Sequence, residues 1–149
     1  MRKVNIYTQS TFKGIRQTSG SIIYILEFKT KKGSATLTKM RYFPHTTPNE
    51  AELRSVIEAL RRMSEKCELT IYTESAYVAA GYNSGWVGNW KKNDWKNSKG
   101  EEVSHVELWK ELDRLLTGHD FTFELGVAHE YRDWMMDEVT KNAKKNEDV

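Results

Sequence analysis

The side chains best placed to do chemistry in this sequence are carboxylates and amides set at the ends of apolar, aromatic runs. In Leu69-Thr70-Ile71-Tyr72-Thr73-Glu74-Ser75-Ala76-Tyr77-Val78, a short buried strand, Leu69 to Tyr72, stops at Thr73 and delivers a carboxylate at Glu74. Ser75 then N-caps a helical run from Ala76 through Asn83, its hydroxyl on an early free N–H. A strand that ends in an acid and turns into a helix sets chemistry at the carboxyl edge of a sheet. The same words also describe an ordinary capped turn with a solvated Glu. The start of the chain nearly repeats them, in Val4-Asn5-Ile6-Tyr7-Thr8-Gln9-Ser10-Thr11, with Gln9 where the second copy has Glu74.

A third acid, Glu52, borders the apolar stripe of a helix that opens with Thr47-Pro48-Asn49-Glu50. Thr47 at the N-cap, Pro48 at the first helical position and Glu50 at the third predict a complete capping box. That role accounts for Glu50 and leaves Glu52 with only the favour a helix dipole gives any first-turn acid. A different chemistry is written in Gly85-Trp86-Val87-Gly88-Asn89-Trp90-Lys91-Lys92-Asn93-Asp94-Trp95-Lys96-Asn97-Ser98-Lys99-Gly100, where three tryptophans alternate with four lysines. Trp86 and Trp90 share a helix face and Trp95 lies beyond a break. Packing alone explains one or two of them, but lysines outside a clean amphipathic pattern read as a protruding surface for a nucleic-acid backbone.

These groups need a scaffold. Strands are expected at Val4 to Thr8, Gly20 to Lys29 (apolar on both faces at its centre), Ser34 to Phe43 and Phe121 to Leu125, besides the one before Glu74. The second and third form a hairpin through Thr30-Lys31-Lys32-Gly33. Leu53, Val56, Ile57, Leu60 and Met63 give the first helix its stripe. Ser104 with Glu107 predicts a second capping box, opening a helix that ends at Gly118. A last helix runs from Glu130 to about Lys144, followed by a charged tail expected to fray. The result is an α/β fold, one mixed five-stranded sheet in βββαβααβα order flanked by helices, as a single domain over residues 1–142 with a tail over 143–149.

Bulk properties narrow the class. A chain of 149 residues, 38% hydrophobic and 30% charged, suits one soluble domain and excludes a disordered one. The lone Cys67 excludes an intramolecular disulfide and a cysteine-rich zinc site, and fits a reducing, cytoplasmic setting. No leader and no membrane span are expected. A net charge of +2 is too small to establish a polyanion partner, so the position of the charge must carry that argument.

Element order and words together resemble type 1 ribonuclease H. The likeness runs from Val4 to about Val139 and rests on Ile6-Tyr7-Thr8, Thr46-Thr47 followed by Glu52-Leu53, Tyr72-Thr73 with Ser75-Tyr77-Val78, and above all Gly85 to Lys92. The resemblance implies hydrolysis of the RNA strand of RNA·DNA hybrids with two magnesium ions held by four carboxylates. It also implies that the tryptophan–lysine stretch (Trp86, Asn89, Trp90, Lys91, Lys92, Trp95, Lys96, Lys99) rides on the DNA strand, with Thr47 and Asn49 beside the substrate. The four ligand positions fall on Gln9, Glu52, Glu74 and Asp137, where the family has Asp at the first and third. His129, in Gly126-Val127-Ala128-His129-Glu130, falls at the family's proton-handling histidine, although a core or solvated histidine fits it equally.

The departures are chemical. An amide has one coordinating oxygen and no charge, so Gln9 removes both a bridge between two cations and a unit of negative charge. Glu74 keeps its charge but adds a methylene, and Mg²⁺ demands near-octahedral oxygens. If the lost contact costs only about 4 kcal/mol in the transition state, the rate falls roughly a thousandfold. The family's substrate-binding loop is here Lys13-Gly14-Ile15-Arg16-Gln17, its paired Asn is reduced to Pro48-Asn49, and its Gln beside the third acid is Ala76. Asp133, one turn before Asp137, offers a replacement carboxylate or a solvated first-turn acid. The expectation is a monomeric protein that grips hybrid or other duplex nucleic acid and cuts it poorly or not at all, with Mg²⁺ or Mn²⁺ held weakly or at one site by Glu52, Glu74 and Asp137. The alternatives are an active endoribonuclease using Gln9 as a neutral ligand, and a protein-interaction domain on the same fold.

Overall fold

The computed structural model describes residues 1–14 and 16–147. Ile15, within the substituted loop, and the last two residues of the charged tail lie outside them. The strands are β1 (Arg2–Ser10), β2 (Thr18–Thr30), β3 (Gly33–Thr46), β4 (Cys67–Thr73) and β5 (Asp120–Leu125), and the helices α1 (Pro48–Leu60), α2 (Ala76–Asn83), α3 (Trp86–Lys92), α4 (Val106–Leu116) and α5 (Arg132–Glu147). The expected order is present with one helix more: three helices, not two, separate β4 from β5, because the tryptophan–lysine stretch forms a short helix of its own, α3. The five strands form one sheet in the order β3-β2-β1-β4-β5. The first three pair antiparallel as a meander, while β1, β4 and β5 run parallel.

Period-two alternation divides the sheet into two packed faces. Val4, Ile6, Leu69 and Ile71 meet the stripe of α1 (Leu53, Val56, Ile57, Leu60) and, beyond it, Trp109 and Leu112 of α4. Tyr7, Ile23 and Ile25 face the other way onto Met135 and Val139 of α5. Because β2 is covered on both sides, it is apolar on both faces at its centre, as its composition implies. β2 and β3 are longer than expected because pairing continues from Thr30↔Gly33 to Thr18↔Thr46. Pro44 is tolerated in β3 because that strand is an edge.

Three local expectations change. Thr47 Oγ1 does accept from the Glu50 N–H at 3.2 Å, but the Glu50 carboxylate accepts from the Thr46 hydroxyl at 2.6 Å, so the box at α1 is only half closed. At α4 the Ser104–Glu107 box is replaced: the N-cap is His105, in the left-handed region at φ 57°, with no side-chain cap bond. Val103 and Val106 are both buried, and the sharp turn that points both inward carries Ser104 out of cap position. Finally, residues 144–147, expected to fray, belong to α5. No helix among the described residues is long and apolar enough to cross a membrane.

Candidate functional site

Parallel pairing of β1 and β4, in the register Tyr7↔Tyr72, brings Gln9 and Glu74 out side by side at the same carboxyl edge. Gln9 is buried, and its Nε2 donates to Glu74 Oε1 at 3.4 Å. The same Glu74 oxygen accepts from Arg132 Nε at 3.0 Å, across from the first residue of α5. Ser75 caps α2 as expected, accepting from the Val78 N–H.

Glu52 reaches the edge from the first turns of α1 and is 7% exposed. It accepts a hydrogen bond from Thr8 Oγ1 at 2.6 Å, and the Thr73 hydroxyl at the end of β4 lies beside it while accepting from the Ser75 N–H. Burial pushes its carboxyl above the usual range; the two threonine hydroxyls oppose that, and the nearby Glu74 charge adds to it. The threonines that close the two strand repeats thus flank the third acid. Together these residues border a cleft of about 320 Å³ lined by Gln9, Glu52, Glu74, Asn49 and Tyr77. Asn49 lies in that wall, while the Thr47 hydroxyl is engaged as the α1 cap.

The remaining site residues are dispersed. Asp133 and Asp137 are exposed on α5, and among the described residues no three His, Cys, Asp or Glu side chains converge where one cation could be held. Glu52, Glu74 and Asp137 are therefore not gathered into one ligand shell. The donor set does not fit a pair of divalent cations: one position is an amide directing its NH₂ at a carboxylate, and that carboxylate is paired to a guanidinium.

His129 lies on the α5 face of the sheet, in an aromatic box with Tyr7 at 4.4 Å, Tyr72 at 5.7 Å and Tyr131 at 6.5 Å between centroids. Its Nδ1 accepts from the Tyr131 N–H, and burial draws its pKa below the usual histidine value. The box is anchored by an acid that sequence reasoning passed over. Glu27 is fully buried and accepts from Tyr131 at 2.5 Å, Asn5 at 2.8 Å and Tyr7 at 3.0 Å, with Lys29 at 3.2 Å. Burial alone would raise its pKa, but these donors outweigh that and bring it down to about 2. Its signal was a lone acid inside a doubly buried strand.

The protrusion is built from the core outward. Trp109 is fully buried, donates from Nε1 to Tyr77 at 2.9 Å, and fills the space beside Gly81 so closely that an added Cβ would lie 2.3 Å from its ring. Trp90 leans on Trp109 at 5.3 Å and carries Trp86 at 5.9 Å and Trp95 at 6.4 Å. Asp94 and Trp95, both left-handed, reverse the chain, and Val103 N–H to Trp95 C=O closes the loop. Between α3 and that loop runs a groove of about 750 Å³ lined by Trp86, Asn89, Trp90, Lys96 and Asn97. Lys92, Lys96 and Lys99 are exposed around it, whereas Lys91 is tied to Asp113 at 3.0 Å.

The RNase H family profile matches residues 1–145. The Ribonuclease H of Acetivibrio thermocellus is 36% identical over 152 residues, covering 97% of this chain and all of that protein. The Ribonuclease HI of Haemophilus influenzae is 35% identical over 147 residues, covering 97% of this chain and 92% of that protein. Among solved structures, LC9-RNase H1, a type 1 RNase H with the type 2 active-site motif, gives a TM-score of 0.76 at 24% identity, over 97% of this chain and 74% of that one. LC11-RNase H1, solved in complex with an RNA/DNA hybrid, gives 0.63 at 18% identity, over 96% and 98%.

Proposed function

The chain belongs to the ribonuclease H family, and from that premise we propose that it binds RNA·DNA hybrid, or a related duplex, through its tryptophan–lysine protrusion while hydrolysing the RNA strand slowly or not at all. The observation that carries this reading is the Gln9 amide at the edge of the cleft, donating to Glu74. A carboxylate there would share two equivalent oxygens between cations, whereas the amide presents N–H groups and no charge. Two-metal hydrolysis needs ions about 3.5–4 Å apart with both reacting oxygens clamped, and this edge lacks the bridge that sets that spacing.

The protrusion supports the binding half. Its groove combines indole faces, on which sugars and bases rest, with the exposed Lys92, Lys96 and Lys99 for phosphates. Tilted packing of Trp86 on Trp90, and edge-on packing of Trp90 against Trp109, fixes the groove before any ligand arrives, which lowers the ordering cost of binding. In the cleft, Glu52 and Glu74 border the space while Asn49 offers an amide to a sugar or phosphate.

An active endoribonuclease, with Gln9 as a neutral ligand and Mg²⁺ or Mn²⁺ as the ion, is the second reading. It is favoured by the relatives named ribonuclease H, which match this chain from end to end at 35–36% identity. Incubation of an end-labelled RNA·DNA hybrid with the purified protein in Mg²⁺ and in Mn²⁺ separates the two. The expected result is saturable binding with the RNA strand intact. Cleavage at ordinary ribonuclease H rates, abolished by Glu52→Ala, would overturn the binding reading.

A further inference from the structure

The carboxyl edge of β1 and β4 already faces a cation supplied by the chain. Arg132 Nε lies 3.0 Å from Glu74 Oε1, the oxygen that the Gln9 amide also approaches at 3.4 Å. The backbone that presents Arg132 is anchored on both sides. Immediately before it, Tyr131 is bonded to the buried Glu27; one and two helical turns after it, Met135 and Val139 pack under the sheet. The guanidinium therefore reaches the edge from a fixed origin. Replacing a carboxylate by Gln9 removes one negative charge, and Arg132 adds one positive charge beside it. The edge is two units less negative than a four-carboxylate cleft, which is the charge of one divalent ion.

We propose that Arg132 is the resident counter-ion of the cleft: by pairing with Glu74 it neutralises the strand edge and competes with any divalent cation for that carboxylate. Arg132 touches no reacting atom; it is a residue that decides which cation the acid accepts. The inference deepens the reading of the cleft as deficient in hydrolysis and rests on it. It assigns a cause that can be removed by one substitution at a partly exposed position.

The test measures Mn²⁺ binding to the free, full-length protein, by loss of the free-ion electron paramagnetic resonance signal on titration, with no nucleic acid present. Wild type is compared with Arg132→Gln, Arg132→Met and Arg132→Lys, each checked for an unchanged thermal transition. Both neutral variants should bind Mn²⁺ roughly fivefold tighter than wild type, the size of effect a partly screened ion pair allows, and Arg132→Lys should match wild type. Equal affinity of the neutral variants and wild type would overturn the proposal. So would an equal gain in Arg132→Lys, since the effect would then be steric and not one of charge. Because the readout involves no duplex, a failure here is distinct from a failure of hybrid binding.

Discussion

The cleft and the protrusion meet at α2, whose Tyr77 lines the one and bonds Trp109 beneath the other, yet they differ in how complete they are. In the cleft the supporting framework is present: Thr8 closes β1 and bonds Glu52, Thr73 closes β4 and accepts from the Ser75 N–H, and Ser75 caps α2. The groups at the tips are an amide at Gln9 and an acid at Glu74 one methylene longer than the Asp that the resemblance implies. In the protrusion the tips and the framework agree, from Trp109 and Gly81 in the core to Trp86 at the rim. Backbone position is set by packing and strand register, and chemistry by the last atoms of a few side chains. One can change without the other.

That contrast can be broken from the protrusion side. Gly81→Val places methyl groups inside the Trp109 ring and is expected to cost about 3 kcal/mol, as overpacking does. Urea unfolding should show the loss, and hybrid binding should fall with it as the tryptophan stack shifts. A stability unchanged from wild type would mean that the stack is not tied to the core in the way its contacts indicate.

The far side of the cleft offers a pH test. The Glu27 carboxyl is drawn from 4.5 to about 2 in the folded protein. A depressed carboxylate stabilises the fold above its unfolded value and loses that contribution as pH falls through the window from about 4.5 to 2. The loss is roughly 3 kcal/mol at 1.36 kcal/mol per unit of pKa. Urea unfolding between pH 7 and pH 2.5 should show this slope in wild type and a flatter one in Glu27→Gln. Parallel profiles would remove Glu27 as the anchor of the His129 loop.

Smaller effects sharpen the contrast within the protrusion. Replacing Lys92, Lys96 and Lys99 together by Ala should lower the slope of log affinity against log salt by up to about 2.7, at 0.9 per phosphate contact. Lys91→Ala should change that slope by less than about 0.5, because Lys91 is held by Asp113. A drop of about 0.9 for Lys91→Ala, equal to the change per lysine in the triple variant and read by fluorescence anisotropy over a salt series, would show that the Asp113 pair opens on binding.

Much of this was legible from the sequence because local rules and packing agreed. The repeated strand words marked Gln9 and Glu74 as equivalent strand-end positions, and the parallel register sets the two side by side. The Ser75 cap and the stripe of α1 were equally plain, since each needs only neighbours within a turn. What was hidden depends on partners far apart in the chain. The Arg132–Glu74 pair spans two elements with no shared pattern. Glu27 lies within an apolar run, and its donors come from β1 and from the segment before α5. The Ser104 box failed because burying both Val103 and Val106 outweighed a favourable cap spacing. Lys91, equal to its neighbours in sequence, is singled out only by Asp113 on a later helix.

If the family framework survives here with an incomplete hydrolytic ligand set, restoring the ligands should restore cleavage. Single-turnover cleavage of a labelled RNA·DNA hybrid in Mg²⁺ would be compared for wild type and Gln9→Asp/Glu74→Asp. Intact RNA is expected with wild type, and a gain of at least about a hundredfold with the double variant, since about 3 kcal/mol of transition-state stabilisation is regained. Wild type cutting as fast as the double variant would contradict that expectation.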